Sequence, residues 1–269
     1  MTKISMTKEC KQRLLLKKDL KSVSSKEKAK TNAWFFKTGK GQYGEGDKFI
    51  GVMVPELRKI SKKYRDLSLD EIALLLKDPI HEIRLVGIFI LIHQYEKTNK
   101  EKVKSKKQKE IIERKIIEHK KREYKKTKKK LYNFYLKYRK GVNNWDLVDL
   151  SAPNIVGNYL LDNPKEKTIL YKYAKSKDLW EKRIAIVATF TFIRNNQFSD
   201  TIKLSEILLN DKHDLIHKAV GWMLREVGKR DEKILEKFLK KYNKVMPRTM
   251  LRYSIEKFST EKRRYYMKK

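Results

Sequence analysis

The chain has 269 residues, with 67 Lys plus Arg against 33 Asp plus Glu, a net charge of +34, and 40% apolar residues. That apolar content is enough for a core, which excludes a disordered basic tail, and the length suits one elongated domain or two small ones. So large a positive excess costs stability through self-repulsion and asks for a polyanionic partner, nucleic acid before an anionic membrane surface.

The one cysteine, Cys10, cannot form an internal disulfide, and no Cys or His cluster has zinc or iron–sulfur spacing. We therefore expect no metal, no cofactor and a reducing, cytoplasmic setting, at the nucleoid if the source is prokaryotic. The most apolar run, Ile83 to Ile92, is about half the length that spans a bilayer, so no membrane partner is expected. The Lys-rich N-terminus has no long apolar stretch of the kind a secretory signal needs.

Only 10 Gly and 5 Pro occur, and the long segments carry helical rather than alternating periodicity. The fold expected is all-α. Lys8 to Leu20 and Ser25 to Lys37 read as a first helix pair, with Trp34, Phe35 and Phe36 as its apolar face. Thr38 to Asp47 holds four of the ten glycines and reads as a loop. It lacks Gly-x-x-x-x-Gly-Lys-Ser/Thr and has no strand before it, which argues against a nucleotide phosphate cradle.

Pro55 suits the first turn of a helix running to about Tyr64. Ser68-Leu69-Asp70-Glu71 is a capping box opening a helix to Lys77, and Pro79 starts another that ends near Tyr95. Lys97 to Lys130 carries 17 Lys plus Arg against 5 Asp plus Glu. It reads either as a solvated helical insertion or as an arm that grips DNA. Asp178-Leu179-Trp180-Glu181 is a second capping start, and Gly228 suits a helix stop.

Basic residues recur early in apolar helices at Arg84, Arg183, Lys218 and Arg248, and Arg183 to Lys218 is 35 residues. That recurrence points to an α-solenoid of stacked HEAT-like helix pairs, one repeat domain over residues 1–269. If the second helices line its concave face, the four cations form a basic stripe. Such a stripe follows a phosphate backbone without reading sequence.

The stretch from Asn143 to Asp162 organises the rest. Trp145 and Asp149 are i and i+4, stacked on one helix face. A carboxylate beside an indole is either a cap or salt-bridge acceptor near a core Trp, or a functional group. Lys218, Trp222 and Arg225 give a second stripe, an indole flanked by two cations. Cations for phosphates and flat rings for sugars and bases are what a nucleic-acid groove requires.

Asn-Trp-Asp-x-Val-Asp at 144–149, Leu-Trp-x-x-Arg at 179–183 and Lys-Ala-x-Gly-Trp-x-Leu-Arg-Glu at 218–226 together resemble the AlkD-type DNA alkylation-repair glycosylases. Phe49-Ile50-Gly51-Val52 through Arg58, and Met246-Pro247-Arg248-Thr249, also match. The resemblance covers about residues 30–96 and 130–265. It implies a HEAT-like solenoid that excises 3-methyladenine and 7-methylguanine from duplex DNA without pulling the base into a pocket. It further implies that Trp145 and Trp222 contact the lesion's deoxyribose, Asp149 the reaction centre and Arg183 the adjacent backbone. The expected partner is double-stranded DNA carrying alkylated bases, bound by a monomer. The rival readings are a non-enzymatic HEAT-type DNA-binding scaffold and a helical protein that binds RNA or membranes through 97–130. A zinc deaminase is excluded, since neither His-x-Glu nor Pro-Cys-x-x-Cys occurs.

Overall fold

Several helices begin where the sequence supplies a side-chain acceptor for the first free amides or a fixed φ. In the computed structural model, Ser68 caps α4 (Leu69–Leu76) by accepting from Glu71 N, and Asp178 caps α10 (Leu179–Ala188) by accepting from Trp180 N and Glu181 N. Pro55 sits in the first turn of α3 (Val54–Lys63), and α13 (Asp214–Gly228) ends on Gly228. The structure describes the backbone of residues 8–104 and 111–268, and the side chains of 11–98 and 118–268. Among the described residues the ordered elements are helical, apart from one isolated parallel bridge between Lys48 and Ile80. The fold is all-α. No helix among these residues is long and apolar enough to cross a membrane.

The chain divides into two compact units, Met1–Leu147 and Val148–Lys269. In the first, α1 (Lys8–Ser22) and α2 (Lys26–Phe35) precede α3 and α4, and α5 (His81–Lys104) and α6 (Ile111–Tyr138) follow. Helix α5 is its centre. Ile83, Leu85, Val86 and Ile88 to Ile92 are all buried, and α3, α4 and α6 pack around it. It starts two residues later than its proline suggests, because Lys48 N donates to Pro79 O and Lys48 O accepts from His81 N. It also runs past Tyr95, since straight-chain Lys and Glu residues extend a helix at little cost.

Of the Lys97–Lys130 run, the segment 105–110 and the side chains of 99–117 lie outside the described residues. The remainder of the run is helix, and its two ends are not wholly solvated. Thr98 and Lys128 are buried, with Lys128 Nζ 5.9 Å from the centre of the Tyr95 ring.

The aromatic face expected on the second helix is divided. Trp34 and Phe35 are 72% and 52% exposed, and Phe36 stacks on Phe49. The glycine-rich loop is folded on itself by Gln42 N to Gly39 O, Glu45 N to Gln42 O and Asp47 N to Gly44 O, so these amides are not offered to a phosphate. Gly51 then takes φ +75°, and a Cβ there would lie 2.1 Å from Ser25 O. No other residue lets the chain lie against α2 at this point.

Helix α7 (Trp145–Ser151) holds the end of the first unit and the start of the second. A π-helix follows over Ala152–Gly157 and then α8 (Asn158–Asp162). Pro153 brings no N–H to the ladder, and side chains cap the loosened carbonyls. Asn154 Nδ2 donates to Leu150 O at 2.7 Å and the Thr191 hydroxyl to Pro153 O at 2.7 Å.

The second unit continues with α9 (Thr168–Ala174), α10, α11 (Phe190–Arg194), α12 (Ser199–Ile207) and α13, then α14 (Glu232–Tyr242), α15 (Arg248–Ser254) and α16 (Thr260–Met267). Helix α10 packs on α9 and α13, and α13 on α14 and α15, so each buries its apolar face against chain neighbours. Ile184 to Ala188 and Ile216, Ala219, Val220, Met223, Leu224 and Val227 are fully buried between them.

Candidate functional site

In the second unit, the motif carboxylate meets the motif arginine. Arg183 Nε donates to Asp149 Oδ1 at 2.9 Å and Nη2 to Oδ2 at 2.8 Å, a parallel fork that fixes the plane of the carboxylate. The third guanidinium nitrogen, Nη1, donates to Leu215 O at 2.6 Å. That carbonyl is in the first turn of α13, whose start is fixed by His213 Nδ1 accepting from Leu215 N. One arginine therefore ties α10 to α7 and α13. The Arg183 side chain is 6% exposed and that of Asp149 21%, so the cation is interior and the anion reaches the surface.

This changes the expectation for Arg183. It lies behind Asp149 as its support and is not displayed on an open basic stripe. Arg84 is placed likewise in the first unit, 4% exposed, with Nη2 donating to Asp47 Oδ1 at 2.7 Å and Nη1 to Asp78 O. Arg225 is engaged by Glu256 and Glu226, and Arg248 donates to Met267 O at 3.0 Å. A guanidinium has enough reach and donors to find an acceptor on another element, and at Arg84 and Arg183 burial then removes it from solvent.

Lys218 is different. Its side chain is 40% exposed and its Nζ is 2.7 Å from Asp214 one turn back, a surface pair of small stability. One turn on, Trp222 is half-buried, its ring 5.6 Å from that of Phe190.

In the first unit, Trp145 belongs to an aromatic stack. Its ring lies 5.4 Å from Phe36 and nearly parallel, Phe36 is 5.1 Å from Phe49, and the two phenyl rings lie 4.9 and 4.7 Å from the His81 imidazole. His81 is 2% exposed and bonds two carboxylates: Nδ1 to Asp47 Oδ2 at 3.3 Å and Nε2 to Asp146 Oδ2 at 2.8 Å. Only the imidazolium can donate from both nitrogens. Burial opposes that charge, but the Asp146 and Asp47 hydrogen bonds outweigh it and hold the pKa up to about 9. Burial likewise opposes the charge of Asp47. The His81 hydrogen bond and the nearby Arg84 and His81 charges outweigh it and hold the carboxyl below its usual range. Asn143 Nδ2 and Asn144 Nδ2 also donate to Asp47, and Asn144 Oδ1 accepts from Trp145 N. Glu82 accepts from Ile50 N and Gly51 N. The glycine-rich loop is thereby clamped to the start of α5 and to the residues that begin α7.

That Asp47, His81 and Asp146 meet, and that Phe36 and Phe49 lie against that imidazole, was not legible in the sequence, and the one local signal was a histidine two residues past a proline at a helix start. Among the described residues, no cluster of three His, Cys, Asp or Glu side chains has the arrangement that holds a metal ion.

Comparison with known proteins bears on these two centres. No curated protein matches the chain. A solved structure from Enterococcus faecalis, described as a predicted DNA alkylation repair enzyme, superposes with a TM-score of 0.63 at 16% identity, over 88% of this chain and 97% of that one. At that identity the likeness is one of fold. The sequence model of the DNA alkylation repair enzymes matches residues 16–258, a span that includes Asp47, His81, Trp145, Asp149, Arg183 and Trp222. A match over nearly the whole chain, with both polar centres inside it, places this protein in the DNA alkylation repair enzyme family.

Proposed function

We propose that the protein is a DNA N-glycosylase that hydrolyses the bond between deoxyribose and a positively charged alkylated purine, 3-methyladenine or 7-methylguanine, in duplex DNA. Alkylation at N3 or N7 makes the base a cation, so it departs as a neutral molecule without a general acid. The sugar left behind is oxocarbenium-like at C1′. It requires an anion nearby and one water, whose oxygen bonds to C1′ while its proton passes to a base.

The observation that carries this reading is the geometry of Asp149, a carboxylate that reaches the surface while a buried arginine holds it in a fixed plane. A preorganised negative charge of this kind costs no reorganisation when the sugar becomes positive. Asp149 also accepts the proton of the attacking water. Trp222, in the same unit as Asp149, is assigned to the deoxyribose, where an indole adds roughly 0.5–2 kcal/mol of cation–π stabilisation. Trp145 is assigned the same kind of contact by the family resemblance alone. Arg183 positions Asp149. Lys218 exchanges its weak surface pair with Asp214 for a DNA phosphate, a contact that is insensitive to sequence. The partner is double-stranded DNA, drawn by a charge of +34.

The test is incubation with methylated duplex DNA, followed by chromatography of the released bases. Release of free 7-methylguanine and 3-methyladenine by wild type, lost in Asp149→Asn, is the expected result. Binding of the duplex without release of any base would favour a non-enzymatic scaffold.

A further inference from the structure

Helix α2 buries none of its residues. Trp34 at its end is 72% exposed and Phe35 beside it 52%. An exposed indole next to an exposed phenyl ring is an unusual surface for a structured segment, and such surfaces mark interaction sites.

The segment is well anchored. Ser25 caps the helix by accepting from Lys28 N, and Ser25 N donates to Ile50 O. Gly51 lies against Ser25 and Ala29, and Phe36 is built into the stack with Phe49 and Trp145. Trp34 is therefore held outward on a fixed element. Phe35 joins it to the rest, its ring edge-on to Trp145 with centres 6.0 Å apart.

We propose that Trp34 and Phe35 form a stacking platform for an unstacked nucleobase of DNA. The charge of the segment that carries the rings favours this occupant. Lys26, Lys28 and Lys30 lie on α2 against Glu27 alone, and Lys37 and Lys40 follow it. Lys37 Nζ stands 5.0 Å from the centre of the Trp34 ring. Flat rings bordered by ammonium groups are what single-stranded nucleic-acid sites use, the rings for bases and the cations for the intervening phosphates. An apolar protein helix would bring nothing to neutralise the lysines, and a second copy of a +34 chain would be repelled. The inference rests on DNA being the substrate. It adds a contact that recognises a base out of the stack, beside the Trp145 already assigned to the lesion's sugar.

The experiment compares wild type, Trp34→Ala and Trp34→Phe by fluorescence anisotropy on three labelled DNAs of one sequence: a perfect duplex, the same duplex with a one-base bulge, and the single strand. Wild type should prefer the bulged duplex and single strand. Trp34→Ala should lose about 5- to 100-fold on those two and little on the perfect duplex. Trp34→Phe should keep most of the preference. Melting temperatures should agree, since the side chain is largely in solvent. Equal losses on all three DNAs, no loss on any, or conversion of a wild-type dimer to a monomer by Trp34→Ala would each overturn the platform. Base release from methylated duplex is measured in parallel. Wild type that releases no base yet discriminates the bulge through Trp34 would overturn only the glycosylase reading. Active enzyme whose Trp34→Ala variant binds like wild type would overturn only the platform.

Discussion

Replacing His81 by Asn should remove most of the pH dependence of the first unit's stability between pH 6 and 10. His81 is 2% exposed, lies between Asp47 and Asp146 and carries a pKa raised from 6.5 to about 9. A folded-state pKa above the unfolded one means that folding takes up a proton. The stabilisation is complete below pH 6.5 and is lost as pH rises through about 9. At 1.36 kcal/mol per unit, such a shift corresponds to roughly 3 kcal/mol, a large fraction of a domain's stability. Asp47 has the opposite sign. Its lowered pKa contributes stability above its unfolded value of 3.8 and loses it as the medium becomes more acid. The cluster is thus strongest between about pH 4 and 6.5, bounded by those two unfolded values. The assay is urea unfolding of wild type and His81→Asn at intervals from pH 5.5 to 10. The difference between the two curves cancels the tyrosines and lysines they share. Proton NMR titration of the histidines gives the pKa directly. A His81 resonance titrating at or below 6.5, or pH profiles of stability that superimpose, would refute the argument.

Three more outcomes follow from the geometry. Asp149→Asn should lower single-turnover release of 7-methylguanine by about 10²–10³-fold with duplex affinity nearly unchanged, and an undiminished rate would remove Asp149 from the chemistry. Lys218→Ala should flatten the plot of log affinity against log salt by about one unit while Arg183→Ala leaves that slope alone and lowers the excision rate instead; equal slope changes would place both on the backbone. Gly51→Ala should destabilise the first unit by about 2 kcal/mol or more, because φ is +75° and the added Cβ would meet Ser25 O; urea unfolding with an unchanged midpoint would contradict it.

What the sequence made legible was local. Ser68, Asp178, Pro55 and Gly228 each act within one turn of themselves, and each fixed a helix end correctly. The π-helix after Ser151 was hidden, because Pro153 signals only that a ladder is interrupted and not how its carbonyls find new donors. The His81 cluster was hidden by distance: its partners lie 34 and 65 positions away. Periodicity identified Arg84 and Arg183 as early-helix cations, but it cannot tell whether such a residue faces solvent or a carboxylate on the next element. The same limit applied to Trp34, Phe35 and Phe36, three adjacent aromatics of which only the last turns inward.

The recurrent early-helix cation has a physical purpose that a phosphate stripe would not explain. Arg84 binds Asp47 from the glycine-rich loop and the carbonyl of Asp78 before its own helix. Arg183 binds Asp149 on α7 and the Leu215 carbonyl on α13. Arg248, on α15, reaches the Met267 carbonyl at the end of α16. In each case one guanidinium satisfies an orphan carbonyl or a carboxylate on another element, which a lysine with its point charge and flexible stem does less well. Lys218 fills the corresponding place on α13 and is 40% exposed, with Asp214 one turn away among its partners. The Arg84–Asp47 and Arg183–Asp149 pairs are each neutral, so burying them joins elements of the fold and leaves the net charge of +34 outside them undiminished. Packing within the fold and attraction for a polyanion then arise from one distribution of charge.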